Sequence, residues 1–222
     1  MPQPLRLLLL TFHARPYARR ARIKRRKQLF LAGKNAWVRT ILLIAVVEGA
    51  CVFGLLAITA THLHHKFGIS LTIAGSTAAL FGLGGMLYMA TAKYTIRKFG
   101  ETGLSRLGAS GLSISFLIIA FTPWWPLALP ACFGGGFGFA MFHNTMQANA
   151  TQMVPTACGT GVTLFAGFLF LGQSIGVLML ANLLNHFSSS LVIACASFVA
   201  IGLGFFLAHA IEIHQAHRKQ TR

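Results

Sequence analysis

Two groups of residues have types and spacings that can do chemistry. The first is a single carboxylate. Glu48 lies in "LLIAVVEGACVFG", well inside an apolar run, roughly 12 Å along a helix from the run's start. A carboxylate at such a depth in hydrocarbon faces a bundle interior or a wet cavity. It suits a proton or cation site, and it equally suits a hydrogen-bonded tie between two helices. The second group is in "GFAMFHNTMQANATQMVP", Gly138 to Pro155, which carries His143, Asn144, Gln147, Asn149 and Gln152. His143 and Gln147 are i, i+4 on a helix and share a face, and Asn144 widens it. Such an arc lines an aqueous cavity or bonds to a neighbouring helix. An interhelical hydrogen bond in a membrane contributes only about 0.6 kcal/mol on average. Cavity lining is therefore the better account of Asn144 and Gln147, while His143 fits either reading. Asn149 and Gln152 are expected to cap the turn at Pro155. Gln173 and Asn182 fit satisfied interhelical contacts, and Gln173 is a further pathway candidate.

Other chemistry finds little support. "HLHH" (His62, His64, His65) has no carboxylates beside it and reads as an exposed turn rather than a metal site. Cys51, Cys132, Cys158 and Cys195 are far apart and form no CxxC pair, so no disulfide framework or zinc site is expected; most suit small core positions. There is no GxxxxGK nucleotide loop and no legible nucleophile–base–orienter set. No cofactor, metal or enzymatic activity is expected.

The elements that must position these residues follow from composition. The chain has 222 residues, of which 55% are hydrophobic and 10% charged, and its only acids are Glu48, Glu101 and Glu212. A soluble domain is about a quarter charged. The apolar residues fall in runs long enough to cross about 30 Å of hydrocarbon as helices. Six runs are expected: Thr40–Thr61, Leu71–Ala92, Leu107–Thr122, Pro126–Ala148, Cys158–Leu184 and Ser190–His209. The fold class is all-α, a polytopic membrane protein. "TPWWP" should make a tight interfacial turn, with Trp124 and Trp125 at headgroup depth. Glycines sit inside the runs, Gly134 with Gly138 and Gly172 with Gly176, and let helix backbones approach closely.

Net charge is +16, and its placement orients the chain. Eleven of the nineteen Lys and Arg lie between Arg6 and Arg39, four (Lys93, Arg97, Lys98, Arg106) follow the second run, and three lie at the C-terminus. Only Lys66 falls on the other side. Short basic loops stay cytoplasmic, which places both termini inside, as an even number of spans requires. The chain divides into a basic cytoplasmic arm (1–36), a transmembrane bundle (37–211) and a basic cytoplasmic tail (212–222). The arm "RPYARRARIKRRK" is better read as a segment that sets topology and touches anionic lipid than as a nucleic-acid site. "LRLLLLTF" is too short in its apolar core for a signal peptide. Asn149-Ala150-Thr151 is a glycosylation sequon but falls on the cytoplasmic side.

The pattern "EGACVFG…THLHHKFGISLTIAG…FGLGGMLY…RKFGETGL…GFAMFHNTMQANATQMVPTACGTGVTLFAGFLFLGQSIGV" resembles the C-terminal six-helix half of major facilitator superfamily transporters, most of all bacterial drug/proton antiporter-like members. The resemblance covers about residues 37–211. "KYTIRKFGE", with Lys93, Arg97, Lys98, Gly100 and Glu101, looks like the superfamily's cytoplasmic basic motif. Two departures stand out: members of the superfamily usually have twelve spans in two six-helix halves whereas six are expected here, and Cys158 occupies a place where similar sequences often have Arg; the basic loop also lacks the motif's usual acid. The resemblance implies a half-size secondary transporter in the bacterial inner membrane, working as a proton-coupled efflux antiporter. Its partners would be a small-molecule substrate, protons, membrane lipid, and a second transporter half or a second copy. Glu48, His143, Asn144, Gln147 and Gln173 would form its pathway. The alternative is a truncated, non-transporting membrane protein or accessory subunit.

Overall fold

The computed structural model describes residues 35–154 and 158–220. The basic arm before Asn35, the last two residues of the tail and the turn at Pro155 lie outside them. Among the described residues the regular structure is helical. Five helices are long and apolar enough to cross a membrane: α1 (Ala36–Phe67), α2 (Leu71–Phe121), α3 (Ala128–Gln152, entered through a 3₁₀ turn at Trp125–Leu127), α4 (Cys158–Leu183) and α5 (Ser189–Gln220).

The expected second and third runs belong to one 51-residue helical element, α2, and the stretch expected as their loop is helical on both sides of Gly100. Gly100 has φ 64° and ψ 178°, a conformation nearly confined to glycine. The element folds back there. The rings of Phe81 and Phe116, which a straight helix would hold about 50 Å apart, have centroids 6.3 Å apart. The first connection is also shorter than expected. α1 runs on through "HLHHKF" to Phe67 and ends at Gly68 in the left-handed region (φ 66°). α2 then starts behind Ser70, whose side chain accepts from the Ile73 N–H. Asn35 caps α1 in the same manner through the Trp37 N–H.

Close packing rests on glycine, as expected, but through particular pairs. The Phe81 carbonyl lies where a Cβ on Gly136 would stand, and the Phe133 carbonyl where one on Gly84 would. Gly108 and Gly138 face one another from the second arm of α2 and from α3. α3 thus packs against both arms of α2. Ser105 and Ser113 hydroxyls donate to the Gly204 and Ser197 carbonyls, which fixes α5 against the second arm. Gly172 and Gly176 of α4 admit the Val46 and Ala50 carbonyls of α1.

The end of the bundle that carries Gly68 and Trp124 is tied by a clasp. His62 is 2% exposed, with Nδ1 2.7 Å from Ser189 Oγ and Nε2 3.2 Å from the Ile119 carbonyl oxygen. Lys66 Nζ and Ser190 Oγ both donate to the Ala120 carbonyl, at 2.8 and 2.9 Å. Side chains of α1 and α5 thereby satisfy the last carbonyls of α2, which have no helical partner of their own. His62 is a buried helical residue, not part of the exposed turn that its neighbours suggested. Cys51 and Cys132 are buried as expected, whereas Cys158 and Cys195 are exposed.

Candidate functional site

Glu48 is the last α-helical residue before a π-helical segment, Gly49–Phe53, in the middle of α1. Gly49 has no side chain, and α4 closes on it with the Leu169 carbonyl and the Gln173 amide nitrogen. The extra residue in the turn changes the direction of side chains across the segment, and such bulges recur at functional sites. Glu48 points inward and is 0% exposed.

Its partner is His143 of α3, whose Nδ1 lies 3.1 Å from Glu48 Oε1. The imidazole is enclosed by Phe139 and Phe165, with ring centroids at 5.1 and 5.5 Å. Its side chain is 20% exposed while that of Glu48 is sealed. The second carboxyl oxygen, Oε2, is buried and has no hydrogen-bond partner among the described residues. A buried polar atom without a partner carries a desolvation cost of about 1–3 kcal/mol. The pair therefore has an unused acceptor position inside the bundle.

The other polar residues of α3 do not join this pair. Asn144 Nδ2 donates to the Ala140 carbonyl at 2.8 Å and lies 3.5 Å from Met89 Sδ, facing the first arm of α2. Gln147 is exposed. Asn149 is buried and donates back to the Thr145 carbonyl, and Gln152 is the last residue of α3; the turn they are expected to cap lies outside the described residues. Gln173 is half-buried, its backbone pressed against Gly49, one residue from Glu48. Phe139, Phe165 and the π-helical segment had not been singled out. The spacing of Phe139 four residues before His143 was the available signal for one of them.

The basic motif lies at the α2 fold-back. Lys93, Tyr94, Arg97 and Lys98 line a cavity of about 540 Å³, and Lys98 Nζ stands 5.8 and 5.3 Å from the Tyr94 and Phe99 ring centroids. Glu101 lies apart from them, in a cavity of about 560 Å³ shared with Asn149, Gln152, Cys158 and Arg218. Arg106 pairs instead with Glu212 of α5 at 2.7 Å. No group of three His, Cys, Asp or Glu residues is arranged to hold a metal among the described residues.

The model of the Major Facilitator Superfamily matches residues 5–177. The match takes in the basic segment, set apart from the bundle on sequence grounds, and ends inside α4. No curated protein and no solved structure matches the chain. With apolar helices of membrane-crossing length and a family match over most of its residues, the chain is a multi-pass membrane protein that belongs to the major facilitator superfamily, whose members transport small molecules.

Proposed function

We propose that the chain is one lobe of a proton-coupled transporter, with the Glu48–His143 pair as its proton site. The observation that carries this reading is the pair itself: a sealed carboxylate with one oxygen on an imidazole and the other without a partner. One proton is needed between Oε1 and Nδ1, whichever atom owns it. A second can be taken on Oε2 or on the imidazole. His143, the partly exposed member, would pass the proton, and Glu48 would store it. An ionisable residue inside a membrane bundle marks such relays by default.

Counting the two arms of α2 separately gives six helical segments, which supports six crossings, the number expected in one half of the superfamily's fold. α4 is the least buried of the five helices, which supports a second lobe, a separate half or another copy, lying against it. Alternating access would then be rocking of two bundles about a midplane site. Asn144, Gln147 and Gln173 would face the substrate path, and Lys93, Arg97, Lys98, Gly100 and Glu101 the cytoplasmic gate. The placement of the basic residues supports cytoplasmic termini, and the resemblance to drug/proton antiporters supports a bacterial inner membrane location and outward antiport of a cationic or amphipathic molecule against protons.

Protein reconstituted in liposomes, with and without a candidate second half, should exchange such a compound for protons. Glu48→Gln should abolish the exchange while leaving the helical content unchanged. Full activity in that variant removes Glu48 from the mechanism.

A further inference from the structure

The chain sets three acids against nineteen Lys and Arg. Glu48 meets His143, Glu212 meets Arg106, and Glu101 lies in the cavity it shares with Arg218. Residues 1–34, 155–157 and 221–222 add no Asp or Glu. Lys93, Arg97 and Lys98 line the cavity of about 540 Å³ at the end of the first arm of α2, and no acid lines it with them. All three are exposed, and among the described residues none of them enters a hydrogen bond or an ion pair. Lys98 leans on the Tyr94 and Phe99 rings, which leaves its charge uncompensated. Three like charges on adjoining turns repel one another, and the anion that relieves them has to come from outside the chain.

The depth of the cavity says which anion. The stretch from Leu71 to Ala92 rises about 33 Å as a helix, against about 30 Å of hydrocarbon, so Lys93 and the turns after it stand at headgroup depth. Met86, Ala90, Lys93 and Arg97 are spaced i, i+4, i+7 and i+11 and share one face. All four are exposed, the upper two apolar and the lower two cationic. Tyr94, 66% exposed at the cavity wall, suits the boundary between these layers. That vertical order matches the acyl chain and the phosphate of a phospholipid. A soluble phosphate or a nucleic acid would make no use of the apolar half. A zwitterionic headgroup would bring its own cation to a place that already holds three, whereas an anionic headgroup brings none. The Arg97 guanidinium can present two N–H groups to one phosphate, with the lysines as point charges beside it.

We propose that this cavity is a binding site for an anionic phospholipid of the cytoplasmic leaflet, with its phosphate at Lys93, Arg97 and Lys98 and its upper acyl segments along Ala90 and Met86. The site involves neither Glu48 nor His143, so it stands or falls apart from the proton reading.

Tyr94 gives the test its reporter. The full chain carrying Tyr94→Trp, with Trp37→Phe, Trp124→Phe and Trp125→Phe, is reconstituted in phosphatidylcholine vesicles. These contain a small, equal fraction of either brominated phosphatidylglycerol or brominated phosphatidylcholine, with the bromine high on the acyl chain, where it quenches a neighbouring indole. Quenching at position 94 by the anionic lipid should exceed that by the zwitterionic one at least about fivefold, the preference that one surface cation confers. Lys93→Gln with Arg97→Gln should remove the preference, and Arg97→Lys, which keeps the charge but not the fork, should lower it. If the double variant fails to fold, Lys98→Gln takes its place and should lower the preference about fivefold. Arg39→Gln with Lys219→Gln, which removes as much charge from the same end of the bundle, should leave the preference in place. Equal quenching by the two lipids overturns the proposal, as does quenching by neither because another part of the chain or a second copy covers the cavity. An equal loss in the Arg39 and Lys219 variant also overturns it, since the preference would then belong to the general positive field. Inorganic phosphate and a short single-stranded RNA, each added to plain phosphatidylcholine vesicles, are the remaining arms. If either alone alters the emission at position 94 and abolishes the lipid preference, the ligand is that soluble anion and the lipid site is refuted.

Discussion

Phe81 and Phe116 belong to one helical element, yet their rings meet, with centroids 6.3 Å apart. The fold-back that brings them together depends on Gly100 in a region that side chains enter at a cost of about 1–3 kcal/mol. Gly100→Ala should lower the thermal unfolding midpoint in detergent measurably. Gly103→Ala, a few positions on with an ordinary helical backbone, should do so less. Equal effects would show that the fold-back does not rest on the φ of Gly100.

The α1–α4 contact makes a sharper contrast. Gly172 faces the Val46 carbonyl with no room for a methyl group, whereas Gly167 on the same helix faces open space. Gly172→Ala should destabilise by about 1–3 kcal/mol through forced separation of the backbones. Gly167→Ala should be neutral or slightly stabilising in an isolated bundle. If Gly167 meets a second lobe, the same change should weaken association in a cross-linking assay without altering the unfolding of the bundle.

The His62 clasp carries its own prediction. His62→Ala removes both ring nitrogens and leaves the Ile119 carbonyl buried without its partner, a loss of about 1–3 kcal/mol. His62→Gln, which can still donate, should recover part of it. Thermal unfolding of the three proteins in one detergent reads the difference; a fully stable Ala variant would show that water replaces the ring.

For the proton site, His143→Ala and Glu48→Gln are expected to differ. Removing His143 leaves Glu48 able to bind a proton but takes away its partly exposed partner, so exchange should slow and its pH dependence should shift. Glu48→Gln should lose proton-driven exchange altogether. Proton flux in liposomes across a range of pH separates the two outcomes, and identical behaviour would place both residues in a merely structural tie.

Orientation can be checked independently. Single cysteines at Lys98 and at Lys219, in a chain with its native cysteines replaced, should react with an impermeant thiol reagent only from the cytoplasmic side. A cysteine at Lys66 should react only from the opposite side. Labelling of position 98 and position 66 from one side contradicts a membrane crossing by the first arm of α2.

Much of this molecule was legible without coordinates. Solvation dictates it: apolar runs with hardly an acid among them cannot stay in water, and a backbone in hydrocarbon must close its hydrogen bonds within each helix. The ends were harder to place. "HLHHKF" and "KYTIRKF" look polar enough for loops, yet local hydrogen bonding carries both helices on until Gly68 and Gly100 break them. His62 was misjudged for a related reason. Sequence shows a histidine among histidines, but not the carbonyls at the end of a helix many residues away that it caps. The residue types of the candidate site could be chosen from the chain, since Glu48 and His143 are costly in an apolar setting. That they meet, while Asn144 turns to Met89 and Gln147 to the surface, was decided only by how α1 and α3 rotate in the bundle. Periodicity tells which residues share a face of one helix. It carries no information on which face of another helix they oppose, because that is set by which glycines let two backbones touch.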